Sequence, residues 1–561
     1  MTDRPPQRRV FAPVIMAVIL VLLGGDMALQ LGLTGSRFLP RLNDPHPALA
    51  RSEPYAGRAQ RPRLARSVFV VILDGLRVRE SIGLRYLDEL RRRGIEATAS
   101  SHYPSFSRPN YVSIVTGVPP MWSGVRSNQY DEPVALESIM ATAGNAGLGS
   151  AFVSDLSPGL PRMFTRPVDD AAGAARFVSD FHDMHYVRWP GGFVLAAHLL
   201  IERRYPLVVM HLGDVDVAGH EFGADSPEYL AATVSVDQQL QLALANIDLE
   251  RDAVVVVADH GHTDAGGHGG LEPEVIEVPL ILAGAGVRPA AAVSGARLID
   301  IAPTVATLLG VQPPGHGLGR TLTEALILPD ETAAAIRAAD AERITRNELI
   351  VAAARDTGSA RVAAKRIWRV PLVLGLFVVG IVLIVAARRV GAVRLDWRVL
   401  AITLPAFPVT YYLALGLLEQ QFSPSAIPEL GDIFTLLLRW GLVSTAAHIV
   451  VAWIALRGRV VLRERLAAAA GLTACGLFLS LVPAGLAWAL YGGPFVEAPG
   501  PSLVVLIPAT LVAVAFYAMA AAVTLGLEIV IFFARAVDPR VHLRRLEAAA
   551  ERQRSVLEED Q

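Results

Sequence analysis

Asp259-His260-Gly261 and, eight residues after His260, His268 in a run of glycines are the residues of this chain best suited to chemistry. They follow Ala253–Ala258, an apolar β-branched run that predicts a buried strand. Carboxylate and imidazole together suit Zn²⁺ or a similar divalent ion. Open α/β sheets build their sites at the carboxyl ends of strands. A second pair, Asp216 and His220, stands four residues apart beyond the apolar run Leu207–His211. The two converge on one ion if the intervening turn is tight, which Gly219 would permit, and Asp214 is an alternative ligand. Asp74 ends a third apolar run, Val68–Leu73. One acid after one strand is commonly a helix cap. Three such ends, two with histidine close by, predict a two-metal centre.

Such a centre needs a nucleophile. Ser107 precedes a helical stretch, Tyr111–Thr116. A hydroxyl at a helix N-terminus gains from free amides and the dipole, and a metal would lower its pKa further. Taken alone, the local sequence reads as a plain N-cap serine, and only the company of the metal ligands makes Ser107 the candidate nucleophile.

The elements that must hold these residues alternate strand and helix. Helical stretches at Leu84–Arg93, Tyr229–Asn246 and Ile301–Leu309 are interleaved with the three runs above and with a further strand, Val278–Leu282. The pattern predicts an α/β domain with a mostly parallel sheet and helices on both faces.

The rest of the chain is a different material. Of 561 residues 52% are hydrophobic, and beyond about 367 they gather into long blocks. Six segments reach the roughly 20 residues needed to cross a bilayer: Val10–Leu33, Ile367–Ala387, Val399–Leu418, Ile433–Leu456, Leu466–Leu490 and Ser502–Phe533. Arg388, Arg389, Arg394 and Arg398 follow the second, Arg457, Arg459, Arg463 and Arg465 the fourth, and Arg535, Arg540, Arg544 and Arg545 the sixth. Glu419–Asp432 and Tyr491–Pro501 contain neither Lys nor Arg. Basic loops stay in the cytoplasm. The reading is therefore a multi-pass protein of the cell's inner (plasma) membrane, both termini cytoplasmic and residues 34–366 on the extracytoplasmic, periplasmic side. The divisions are an anchor (1–33), a linker (34–64), the α/β domain (65–325), a helical spacer (326–366), five spans (367–534) and a tail (535–561). Pro405, Pro408, Pro483 and Pro508 are expected to kink their helices, and His448 to face the bundle interior or a ligand groove. A net charge of -2, without a basic aromatic patch, gives no sign of nucleic-acid binding, and the lone Cys475 excludes an internal disulfide.

Five blocks in order resemble the alkaline phosphatase superfamily over residues 66–325: Val71-Ile-Leu-Asp74-Gly75, Ser107-Arg-Pro-Asn with Thr116-Gly117, Asp216…His220, Asp259-His260-Gly261…His268-Gly269, and Asp300-Ile-Ala-Pro303-Thr304…Leu309-Gly310. The nucleophile block is similar to the nucleotide pyrophosphatase/phosphodiesterases and to the GPI ethanolamine phosphate transferases, which also carry a multispanning membrane region. The resemblance implies one cation held by Asp74, Ser107, Asp259 and His260 and another by Asp216, His220 and His268. It makes Ser107 the attacking group and Asn128 a donor to a phosphoryl oxygen. The implied cofactors are two divalent ions, Zn²⁺ or Mn²⁺.

A sulfatase would need an arginine where Tyr111 stands, and a phosphoglycerate mutase would need a second inserted domain. The expected activity is a metal-dependent phosphodiesterase or phosphoethanolamine-type transfer through a phosphoserine. Its substrate would be a phosphorylated lipid, glycan or nucleotide, worked on at the bilayer. The competing expectation is a catalytically silent sensor domain on a membrane assembly. Arg162 and Arg166, in the least family-like stretch, read as solvated charge or as contacts to a second phosphate.

Overall fold

The computed structural model describes residues 6–57, 61–156, 159–169, 175–418, 423–426, 433–459, 461–491 and 499–537. Most of the tail expected over 535–561, with Arg540, Arg544 and Arg545, lies outside them. The strands are β1 (Val68–Leu73), β2 (Gly94–Ser100), β3 (Ser150–Ser154), β4 (Thr165–Asp169), β5 (Ala175–Ser179), β6 (Asp183–Tyr186), β7 (Leu207–Leu212), β8 (Ala253–Val257), β9 (Glu277–Gly284) and β10 (Ala296–Arg297). Among the described residues, eight form one sheet in the order β10-β2-β9-β8-β1-β7-β3-β6, while β4 and β5 form a separate ribbon. Within the eight-stranded sheet only β9 runs antiparallel to its neighbours, and β4 and β5 pair antiparallel with each other.

β1, β7 and β8 are buried at every position. Strands covered on both faces read as continuous apolar runs, which is why these three were visible in the sequence. They are also neighbours, so the acids that end them leave the sheet side by side. Ile72 pairs with Val257, which puts Asp74 and Asp259 at the same height on adjacent strands.

Among the described residues, six helices are long and apolar enough to span a bilayer. The spacer expected before the second span is not a separate element. It continues into the span as one 60-residue helix, Asp330–Arg389, about 90 Å long at 1.5 Å per residue. Its first turns are fastened to the α/β domain by buried groups. Asp340 accepts from Arg61 at 3.0 Å and Arg343 at 3.1 Å, while Arg343 donates to the carbonyls of Gly317 and Gly319. The third span is interrupted at Leu404–Pro405, between helices Trp397–Thr403 and Ala406–Leu418. Pro408 falls in the first turn of the second piece, where the missing N–H costs nothing. Pro483 and Pro508 lie inside helices that run on past them.

The α/β domain sits on one end of the bundle. Phe38, Leu39 and Leu42 pack with Val504 of the last helix, and the Tyr103 hydroxyl donates to the Pro499 carbonyl at 2.5 Å. The Arg-rich connections meet at the other end, with Arg394 paired to Glu464 and Arg459 to Asp396.

Candidate metal centre and active site

Two three-residue donor sets lie at the carboxyl ends of β8, β1 and β7. In one, Asp74, Asp259 and His260 bring their ligand atoms within 4.8 Å of one another; Asp216, His220 and His268 do so in the other. His260 Nε2 lies 3.4 Å from Asp74 Oδ1 and 3.3 Å from Asp259 Oδ2. His268 Nε2 lies 3.1 Å from His220 Nε2 and 3.8 Å from Asp216 Oδ1. Ser107 Oγ stands 3.2 Å from His260 Nε2. All seven residues expected to bind metal therefore converge.

Two details differ from the sequence reading. Asp216 and His220 are joined by a helix, Asp214–Phe222, and meet as an i,i+4 pair rather than across a tight turn. Gly219 serves another purpose: a Cβ there would lie 2.7 Å from His262 Nε2. Asp214 is exposed and joins neither set. Ser107 is the first residue of helix Ser107–Thr116, and Phe106 occupies the cap position, so Ser107 is not a capping serine.

Ring orientation makes the histidines competent ligands. The Nδ1 of His260 faces the Gly261 carbonyl at 3.1 Å, and that of His268 faces the Ser105 carbonyl at 3.0 Å. Donating there leaves each Nε2 with its lone pair toward the centre, as metal-ligating histidines require. His262, which the sequence reading passed over, differs. Both its nitrogens face acceptors, the Gly266 carbonyl at 2.5 Å and Asp216 Oδ1 at 2.9 Å. It also lies within ligand range of Asp216 and His260, yet a nitrogen that donates has no lone pair to give. Its place is to aim Asp216. Arg77, itself buried, donates to the His262 carbonyl at 2.6 Å and pairs with Asp264, bracing the same loop.

His211 and Tyr111 were also missed. Both bond Asp74 Oδ2, and Ser154 Oγ contacts the other nitrogen of His211 at 2.9 Å. A histidine inside the apolar run Leu207–Leu212 was the available signal, since a buried polar group needs partners.

The electrostatics fit a cation. Asp74 Oδ1 and Asp259 Oδ2 are buried without a hydrogen-bond partner among the described residues, an arrangement that costs free energy unless something positive binds there. Burial and the adjacent Asp74 and Asp216 carboxylates push Asp259 well above the usual carboxylate range. Burial pushes His268 well below its ordinary value, reinforced by His260, and a neutral imidazole is the form that binds metal.

Asn128 accepts from the Arg108 amide at 3.0 Å through Oδ1. One amide at the start of the Ser107 helix is thus already used, and the donors Asn128 retains are those of its side-chain nitrogen. Arg166 is paired with Asp180 at 3.1 Å. Arg162 lines a separate cavity of about 420 Å³ with Met184, His185 and Tyr186.

The bundle reaches this centre. The Gly270 amide donates to Ser425 Oγ at 2.8 Å, Thr263 Oγ1 donates to the Ser425 carbonyl at 3.0 Å, and Ser423 Oγ donates to Glu272 at 2.5 Å. Gly270 is two residues from His268.

Residues 68–146 match the type I phosphodiesterase/nucleotide pyrophosphatase family, and residues 193–313 match the metalloenzyme superfamily. GPI ethanolamine phosphate transferase 2 of Aspergillus fumigatus is 26% identical over 310 residues, 48% of this chain and 39% of that protein. The catalytic subunit of GPI ethanolamine phosphate transferase 2 of Homo sapiens is 25% identical over 297 residues, 48% of this chain and 29% of that one. A 2,3-bisphosphoglycerate-independent phosphoglycerate mutase of Roseobacter denitrificans is 33% identical over 131 residues, 22% of this chain and 24% of its own. The match thus spans well under half the length of each relative. Among solved structures, alkaline phosphatase PafA shares 12% identity at a TM-score of 0.40, over 47% of this chain and 99% of that one. The chain thus carries stretches similar to the type I phosphodiesterase/nucleotide pyrophosphatase family and to the metalloenzyme superfamily, which together take in Asp74, Ser107, Asp216, His220, Asp259, His260 and His268, beside six apolar helices among the described residues.

Proposed function

We propose that the protein moves a phosphoryl-linked group, of the phosphoethanolamine type, from a lipid phosphodiester by way of Ser107. The observation that carries this is the place of Ser107 Oγ, 3.2 Å from His260 Nε2 and beside two donor sets. Asp74, Asp259 and His260 would hold one divalent ion, and Asp216, His220 and His268 the other. Zn²⁺ suits this donor set, as does Mn²⁺. When bound, such a pair supplies charge to the attacking and leaving oxygens of an in-line displacement.

Ser107 Oγ attacks phosphorus, the bond to the lipid alcohol breaks, and the alcohol leaves with a proton. Asn128 donates to a non-bridging oxygen. An acceptor hydroxyl then attacks the phosphoserine, loses its proton, and the Ser107 Oγ–P bond breaks. With a glycan or lipid hydroxyl as acceptor the outcome is transfer; with water it is hydrolysis by the same residues. The contact between Ser425 and Gly270 favours a lipid donor, because it sets the centre against the membrane bundle. The Arg-rich connections belong on the cytoplasmic side, which puts the centre on the extracytoplasmic face.

The test is acid-quenched peptide mass spectrometry of the full-length protein mixed with phosphatidylethanolamine. The expected result is a phosphoethanolamine adduct on the Ser107 peptide and diacylglycerol as first product. If the adduct persists in Ser107→Ala, the assignment of the nucleophile is wrong. If no adduct, turnover or bound metal is found, the sensor reading stands instead.

A further inference from the structure

A second site lies inside the bundle. Phe407, Pro408, Leu479, Pro483, Val514 and Tyr517 line a predominantly apolar cavity of about 400 Å³, within the roughly 300–1,000 Å³ of small-molecule sites. The break at Leu404–Pro405 opens one wall, since residues on either side no longer follow one helical stripe. The cavity is not a simple packing gap. Tyr517 is only 6% exposed, lines the space, and its hydroxyl has no partner among the described residues. His448, fully buried, packs beside it with its ring centroid 5.2 Å from that of Tyr517. Gly476 keeps Tyr517 in place, because a Cβ there would lie 2.1 Å from its hydroxyl oxygen.

The depth identifies the occupant. Trp368 and Trp488 pack edge to face with Arg369 over both rings, a cluster suited to the membrane–water interface. Trp488 lies toward the end of its helix that faces the α/β domain. From Pro483 down to Gly476 the cavity therefore runs about 8 to 18 Å below that interface at 1.5 Å per residue. That is the leaflet nearest the metal centre.

We propose that this cavity binds the distal part of an acyl chain of a glycerophospholipid from that leaflet. The proposal rests on the reading that the substrate is a lipid, and it names the part of that lipid the bundle recognises. The chain is held between the third, fifth and sixth spans while its head group reaches the centre beside Ser425.

The probe is phosphatidylethanolamine carrying a photoreactive diazirine in one acyl chain, added to the full-length protein in non-ionic detergent micelles. Peptide mass spectrometry after irradiation should find adducts concentrated on the segments containing Leu479, Pro483 and Val514. Val514→Trp, which fills the space, should reduce them about tenfold, the loss expected when one well-buried contact is removed. In the unsubstituted protein, excess unlabelled phosphatidylethanolamine should compete and chain-free glycerophosphoethanolamine should not, so the test stands even if the variant misfolds. Adducts spread evenly over outward-facing positions such as Val378 and Val450, or competition by the chain-free head group, would overturn the proposal. Labelling needs no turnover. Loss of the cavity adducts with the Ser107 adduct intact sinks the chain site alone, and the converse sinks the phosphoserine reading alone.

Discussion

His268 and Ser105 are joined by a 3.0 Å hydrogen bond from the ring Nδ1 to the backbone carbonyl. Ser105 Oγ also donates to the Gly270 carbonyl at 2.8 Å and accepts from the Gly269 amide at 3.0 Å. A Cβ on Gly269 would strike the Phe106 ring at 2.1 Å. The segment that presents Ser107 is thus fastened along its length to the loop that presents His268, so nucleophile and second donor set move as one body.

Removing the Ser107 hydroxyl should leave that body intact. Ser107→Ala is expected to lower turnover of an aryl phosphodiester by about a thousandfold or more and to abolish the phosphoserine. Metal content by plasma mass spectrometry should stay close to that of the unsubstituted protein, because the six other ligands remain.

Removing a ligand should act on the metal first. His268→Ala is expected to take the bound metal from two ions per chain to one, since its partners Asp216 and His220 offer too few donors. Asp259→Ala should empty the other set. A variant that retains two ions would refute the ligand assignment.

His262→Ala tests the aiming of Asp216. Partners of this type typically contribute about 10–100-fold in metal affinity, and that loss should appear in a competition titration with a chelator. Gly219→Ala should have a similar effect for the opposite reason, by pushing the His262 ring away from Asp216.

The pH dependence of metal binding has a definite sign. Burial and two neighbouring carboxylates raise Asp259 in the metal-free protein, so it retains a proton above the ordinary carboxylate range. Metal binding must expel that proton, and affinity should therefore rise with pH until Asp259 is ionised in the free protein. Burial lowers His260 and His268, so they carry no protons to displace near neutrality. Calorimetry of metal binding in two buffers of different ionisation enthalpy should show this proton release, and Asp259→Asn should remove it.

Asp340→Ala leaves two buried guanidinium groups, Arg61 and Arg343, without their shared carboxylate. Breaking a buried pair in this way costs about 3–5 kcal/mol. The thermal melt of the full-length protein should shift downward with both metals still bound at low temperature.

Much of this was legible along the chain because it depends on local pattern. Buried parallel strands must be apolar throughout, so β1, β7 and β8 announced themselves, and an acid or histidine at their ends had to mean something. Long apolar blocks with arginine on alternate connections announced the spans for the same reason, that hydrocarbon tolerates little else. Other features depend on contacts between distant segments. No spacing shows that His262 fits between Gly75 and Gly219, or that His211 and Tyr111 share Asp74. Nor does any spacing show that Ser425 of the bundle reaches Gly270. Hydrophobic periodicity records which residues are buried, but not against what; only the closed structure pairs each buried polar atom with its partner or, at Asp74, Asp259 and Tyr517, leaves it waiting for one.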